Sequence, residues 1–177
     1  MRDPMQFDEA ISELLNFSLL RRLPDTGAVS IHRLVQAVLI DAMDEATQQA
    51  WAEAILRAVA QLFPFGEVAP WPTCQRYLPH AMSCAEAIEH WPLFSQEAAI
   101  LLTNIASYLD DRAQYPVAEL LYQRALAISE RVLGPEHAEV ARILNNLAIL
   151  YRNQRKYEQA ELLYQRIRSI PYELTRA

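Results

Sequence analysis

His80 and Cys84 stand four apart, a spacing that brings two ligand-type side chains onto one face of a helix. Cys74 and His90 lie close by in the chain. A structural metal would need a complete ligand set, and no tight Cys-x-x-Cys or His-x-x-x-His pair supplies one. A packed or surface histidine is therefore expected, and no metal is assigned. A thiol nucleophile with an imidazole base is disfavoured in the same way, because nothing around these residues builds a pocket. Asp110 and Asp111 are paired carboxylates in sequence only, since adjacent helical residues do not face each other. They are expected at a solvated helix end or as contributors to a binding surface. Three scattered glycines, Gly27, Gly66 and Gly134, make no Gly-x-x-x-x-Gly-Lys-Ser/Thr phosphate loop. The chain is read as no enzyme, and no cofactor is assigned to it.

The elements that carry these residues are helical. Ala, Leu, Glu, Gln and Arg abound while glycine is scarce, which favours helices over strands. Prolines such as Pro64, Pro70, Pro72, Pro92, Pro116, Pro135 and Pro171 punctuate them. The net charge of −6 is uneven. Residues 1–93 hold six Lys/Arg and twelve Asp/Glu, whereas residues 94–177 hold ten of each. No basic stripe appears, so the electrostatic footprint of a nucleic-acid binder is missing. Cys74 and Cys84, if on one helix, are about 15 Å apart and cannot pair with each other. Reduced thiols and a cytoplasmic location are expected. Neither a secretion signal nor a run of apolar residues long enough to span a membrane is present.

Apolar spacing predicts a helix from Phe7 to Phe17, then a short β-hairpin in which Leu19–Leu23 and Ala28–Ile31 flank Pro24-Asp25-Thr26-Gly27. His32 opens a helical run, which it is expected to cap. Asp44 restarts the pattern as far as Phe63. A loop over 65–72 precedes a helix through Tyr77 and Ile88 that Pro79 bends or delays, closed by Trp91-Pro92. Helix pairs then follow, at about 95–111 with 115–133 and 137–154 with 157–169. Gly134-Pro135 separates the two pairs.

These pairs repeat each other. Ala118-Glu119-Leu120-Leu121-Tyr122-Gln123-Arg124 recurs at Ala160–Arg166, 42 residues on, and the match extends through Asn104/Asn146, Ala106/Ala148 and Tyr115/Tyr157. A fixed period of this size marks stacked repeats that bury their apolar faces against neighbours. Seven identical residues at one period weigh against a chance likeness inside an ordinary bundle. The stretch from about 97 to 170 resembles the tetratricopeptide repeat, in the 42-residue variety of kinesin light chains. Small residues at Ala106, Ala118, Ala125, Ala148 and Ala160 fall where that family packs its helices closely. Leu109, Tyr115, Tyr122, Tyr151, Tyr157 and Tyr164 fall where it fills the gap. The sequence departs from the family at Arg112 and Arg155, where glycine is usual, at Ala138, where proline is usual, and at Ile167, where a small residue is usual.

That resemblance implies an α-α superhelix whose first helices line a groove for a protein or peptide ligand. Carried over by position, the groove comprises Asn104, Ser107 and Asp111 from the first unit. The second unit adds Arg142, Asn145, Asn146, Ile149, Arg152 and Asn153. Asparagines offer donor and acceptor to an extended peptide backbone, and Arg142 and Arg152 offer a carboxylate or phosphate contact. Leu162, Leu163, Ile167 and Ile170 on the last helix have no following repeat, so a homodimer through that end is expected.

The front end, Leu14-Leu15-Asn16-Phe17-Ser18-Leu19-Leu20 and Ser30-Ile31-His32-Arg33-Leu34-Val35-Gln36, is similar to the winged-helix segment of NB-ARC (STAND-type) signal-transduction ATPases. For His32 this resemblance implies, instead of a cap, a contact that locks the segment against a neighbouring domain. In bacterial members a helical linker and tetratricopeptide repeats follow that segment, and Arg76-Tyr77-Leu78-Pro79-His80-Ala81 resembles the linker. Together these imply an all-α protein: a winged-helix remnant with one β-hairpin over 1–45, a helical linker over 46–93 and two tetratricopeptide units over 94–177. The function implied is the sensor region of a switch ATPase whose nucleotide-binding domain lies outside the chain. The alternative is a stand-alone adaptor. DNA binding through the winged helix is disfavoured by the acidic N-terminal half.

Overall fold

A computed structural model of the protein describes residues 12, 14–15, 19–23, 28–63 and 71–171. The turn expected at Pro24–Gly27 and most of the helix expected from Phe7 to Phe17 lie outside these residues. The chain divides into two compact units, Met1–Gln48 and Gln49–Ala177. No helix among the described residues is long and apolar enough to cross a membrane.

In the first unit, strands β1 (Leu20–Leu23) and β2 (Ala28–Ile31) form the expected hairpin. They pair antiparallel, Leu20 opposite Ile31 and Leu23 opposite Ala28. Helix α1 follows, Arg33–Asp41. His32 caps it, its Nδ1 accepting the Leu34 N–H at 3.2 Å, so one of the orphan amides of the first turn is satisfied. The Gln48 side chain closes the far end by donating to the Ile40 and Met43 carbonyls at 2.9 and 3.1 Å. Asp44 caps the next helix by accepting from the Thr47 N–H at 2.7 Å. Hydrogen bonds from the Thr47 side chain and then from its backbone N–H hold the Asp44 carboxyl below the usual carboxylate range. None of the α1 residues is buried, although Leu34, Val38, Leu39 and Ile40 are apolar.

The second unit is built from helices α2 (Glu45–Leu62, most of it), α3 (Trp71–His90), α4 (Gln96–Asp111), α5 (Tyr115–Leu133), α6 (Ala138–Asn153) and α7 (Tyr157–Ser169). Helix α3 corrects the end of the expected loop and the expected delay, for it begins at Trp71 and continues through Pro79 without a break. Pro72 sits in its first turn, where a missing N–H removes no intrahelical bond. From there the helices keep close to the expected bounds. Ser95 caps α4 through the Ala98 N–H at 3.1 Å, and His137 caps α6 through the Glu139 N–H at 3.1 Å. Gly134 ends α5 at a φ of 90°, which L side chains rarely adopt.

Alternating small and large residues bring the helices together. Ala98, Ala99, Ala106, Ala118, Ala125 and Ala148 are fully buried, and Leu101, Leu102, Ile105, Leu121 and Tyr122 fill the space they leave. Phe63, just past α2, meets Tyr108 edge-on, with ring centroids 6.3 Å apart. A buried hydroxyl in this core, Thr103, is satisfied by donating to the Ala99 carbonyl at 2.7 Å. A smaller cluster joins Val140, Ala141 and Leu144 of α6 to Ile170, with Leu163 and Ile167 against it.

Candidate functional site: the uncovered strip of α4 and α6

Helices α4 and α6 are the first members of the two helix pairs, and each leaves one narrow strip uncovered. Beyond its first turn, the residues of α4 that are not buried are Ile100, Ser107, Asp110 and Asp111. The residues of α6 that escape burial beyond its first turn are Arg142, Asn145, Asn146, Ile149, Arg152 and Asn153. At the 42-residue period, Ile100 corresponds to Arg142, Ser107 to Ile149, Asp110 to Arg152 and Asp111 to Asn153. The strip is thus one repeated surface, set by helical spacing of three and four residues.

Its two halves meet at their C-terminal ends, where the Asn153 side chain hydrogen-bonds the Asp110 carboxylate. Ser107 hydrogen-bonds the hydroxyl of Tyr122, which rises from α5 behind the strip. Burial, opposed by that bond to Ser107 and abetted by the charges of Asp110 and Asp111, pushes the Tyr122 hydroxyl far above its usual range and keeps it protonated. Burial also raises the Asp110 carboxyl, with the adjacent charge of Asp111 adding to it.

Several residues stand differently from what the sequence suggests. Asn104 is not open to solvent: it is only 4% exposed, and its Oδ1 has no hydrogen-bond partner. Arg142 is not a free cation. Glu139, one turn earlier, holds its guanidinium in a bidentate pair, with Nε to Oε2 at 2.9 Å and Nη2 to Oε1. Of the four residues assigned to an open end, Ile170 is buried, because the chain turns extended after α7 and lays it on Val140 and Leu144. Leu163 and Ile167 are half-buried beside it, and only Leu162 is broadly exposed. Asn145, Arg152, Asn153 and Asp111 are exposed, while Ser107, Asn146 and Ile149 are half-buried.

The sequence leaves Asp110 between a solvated helix end and a contribution to the groove, and it gives Tyr122 a packing role only. The period carried the missing signal for Asp110, since its partner position is Arg152. No sequence feature marks the Tyr122 hydroxyl as reaching Ser107. The thiols of Cys74 and Cys84 are buried and pushed up by that burial, which makes them poor nucleophiles.

Comparison with known proteins bears on both units. The family described as "Tetratricopeptide repeat" matches residues 97–171. A "Domain of unknown function (DUF7779)" matches residues 1–48. A protein of Hyaloscypha variabilis described as "Nucleotide-binding leucine-rich repeat (NLR)-like protein" is 34% identical over 140 residues. That alignment covers 76% of this chain, while the chain spans 14% of the relative's length. The fold is all-α with tetratricopeptide repeats, and such repeats are protein-interaction modules.

Proposed function

We propose that this chain is the sensor or regulatory region of a cytoplasmic nucleotide-dependent switch protein, and that the strip of α4 and α6 is where a protein or peptide partner binds. The observation that carries the proposal is the strip itself: equivalent positions of two successive units stay uncovered, and all but Ile100 and Ile149 are polar, in helices whose other faces are packed. Asn145, Asn146 and Asn153 offer paired donors and acceptors to an extended backbone, a grip that needs no particular ligand sequence. The likeness to an NLR-like protein supports placing this module beside a nucleotide-binding domain. In this reading the ATPase chemistry belongs to that domain. The repeats supply a differential affinity for partner between two states of the whole protein, without which no switch can be thrown.

The test begins with the native reading frame around the sequence. A phosphate loop encoded in frame upstream of Met1 is expected; a stop codon there would leave an independent adaptor. The groove is tested separately by replacing Asn146 and Arg142 together with Ala. Capture of the partner from the parent cells is expected to fall at least tenfold, and an unchanged yield would remove the strip from the binding surface.

A further inference from the structure

We infer that the α4 end of the strip receives a cationic side chain, so that the groove selects extended segments bearing lysine or arginine. The inference rests on the groove reading above and gives the chemistry of its ligand. Helix α4 carries no lysine or arginine, and beyond Glu97 in its first turn its uncovered charges are Asp110 and Asp111. Neither forms an ion pair among the described residues. Apart from the exposed Arg152, the basic residues nearest this end already have partners: Arg112, just past the helix end, lies 5.7 Å from the centre of the Tyr108 ring. Arg142 is held by Glu139, Lys156 by Glu119 at 3.2 Å, and Arg166 by Glu130. Arg124 donates to the Ala85 carbonyl at 2.7 Å.

The hydrogen-bonding ledger points the same way. Asn104 Oδ1 and Asp110 Oδ1 are acceptors without donors, one nine-tenths buried and the other partly so. Both lie on the face of α4 that carries Ser107. A buried acceptor left unpaired costs free energy that a ligand donor recovers. Asn104 turns about a broad terminal torsion, so presenting its oxygen to an incoming N–H costs little. The Asp110 carboxylate is held in an unfavourable setting by burial and by Asp111, and the attraction of a cation offsets both. The partial negative charge at the end of α4 adds to the attraction.

Spacing makes the recognition specific. Asn104 and Asp111 are seven residues apart, about 10 Å along a helix axis. An extended chain covers that length in about three residues. The expected ligand therefore places a backbone N–H at Asn104 and a lysine or arginine about three residues away, over Asp110 and Asp111. Arg152, exposed at the position equivalent to Asp110, opposes the cation and is screened by solvent.

The experiment titrates the full chain with fluorescein-labelled Ala/Ser peptides of one length, carrying Arg, Gln or Glu at the same position. The Arg peptide is expected to bind about tenfold tighter than the Gln peptide, and the Glu peptide weaker than both. Asp111→Asn, at an exposed site, and Asp110→Asn are each expected to shrink the Arg-over-Gln ratio, and together to bring it within twofold of unity. Arg152→Gln is expected to raise that ratio. Asn104→Ala is expected to weaken all three peptides by a similar factor. Preference for the Glu peptide, or no dependence on charge, overturns the inference while leaving the groove in place. So does an Arg preference that survives both Asp substitutions. Failure of every peptide to bind overturns the inference and the groove reading with it.

Discussion

Residues 118–124 and 160–166 are the same seven residues, and the structure treats them differently. Leu121 and Tyr122 are each 2% exposed, whereas their equivalents Leu163 and Tyr164 are half-buried. Tyr115 is half-buried, but Tyr157 is 63% exposed. Both arginines reach back two helices. Arg124 finds a backbone carbonyl and Glu89 on α3; Arg166 finds Glu130 on α5. What changes along the array is the side facing forward. Helices α6 and α7 cover α5, while no further helix among the described residues covers α7. Burial in a repeat protein therefore belongs to a position in the stack more than to a residue in the motif.

The largest break of this comparison comes from truncating the paired leucines. Leu121→Ala is expected to cost about 3 kcal/mol, within the range for fully buried leucines. Leu163→Ala is expected to cost about 1 kcal/mol, since its site is half open and relaxes more readily. Urea denaturation of the two variants measures the difference. Equal losses would mean that α7 is as fully packed as α5, with its forward face covered in solution.

Such cover bears on self-association. Leu162 looks like an adhesive residue at 65% exposed, yet Leu120, with a unit after it, is 54% exposed. Exposure there comes with the motif position and says little about a missing neighbour. The missing neighbour shows instead at Leu163 and Tyr164. A homodimer through this end is expected to use those two side chains. Light scattering is expected to show a dimer at high concentration that Tyr164→Lys converts to monomer and Leu162→Lys leaves intact. A monomer at every concentration would remove the homodimer, and the reverse ranking of the two variants would return the contact to Leu162.

The sequence made the repeat legible because its period is long, its copies are nearly identical, and helix pairs keep their bounds. The hairpin was legible for a local reason, Pro-Asp-Thr-Gly between two apolar runs. Other features depended on distant partners. Asn104 sits on the expected strip, but burial by neighbouring helices has no signature in its own helix. Arg142 is expected from the sequence to offer a carboxylate or phosphate contact, yet Glu139, three residues earlier on the same helix, already holds it. Pro79 was expected to disturb α3, yet the packing of Ala81, Cys84, Ala85 and Ile88 keeps the helix running past it. Local propensity was outweighed there by tertiary burial.

The turns inside the two units sharpen the comparison at its smallest scale. Each ends its first helix with one residue in the left-handed region, Ala113 at a φ of 57° and Arg155 at 62°. The two are equivalent at the 42-residue period, so the first unit's usual glycine position is Ala113, one residue beyond the expected Arg112. The closing hydrogen bonds also agree: Gln114 N–H to Leu109 O and Lys156 N–H to Tyr151 O, both at 2.9 Å. An alanine and an arginine thus share one conformation that neither favours, because the helix that follows must be aimed back across its partner. A side chain in this region costs roughly 1–2 kcal/mol, partly offset by the unfolded-state freedom that glycine adds, about 0.4–1 kcal/mol. Ala113→Gly and Arg155→Gly should therefore each stabilise the fold by about 0.5–1 kcal/mol, and by similar amounts. Thermal unfolding of the two variants tests the equivalence. A gain at one turn only would show that the strain is local to a unit and is not imposed by the shared geometry of the repeat.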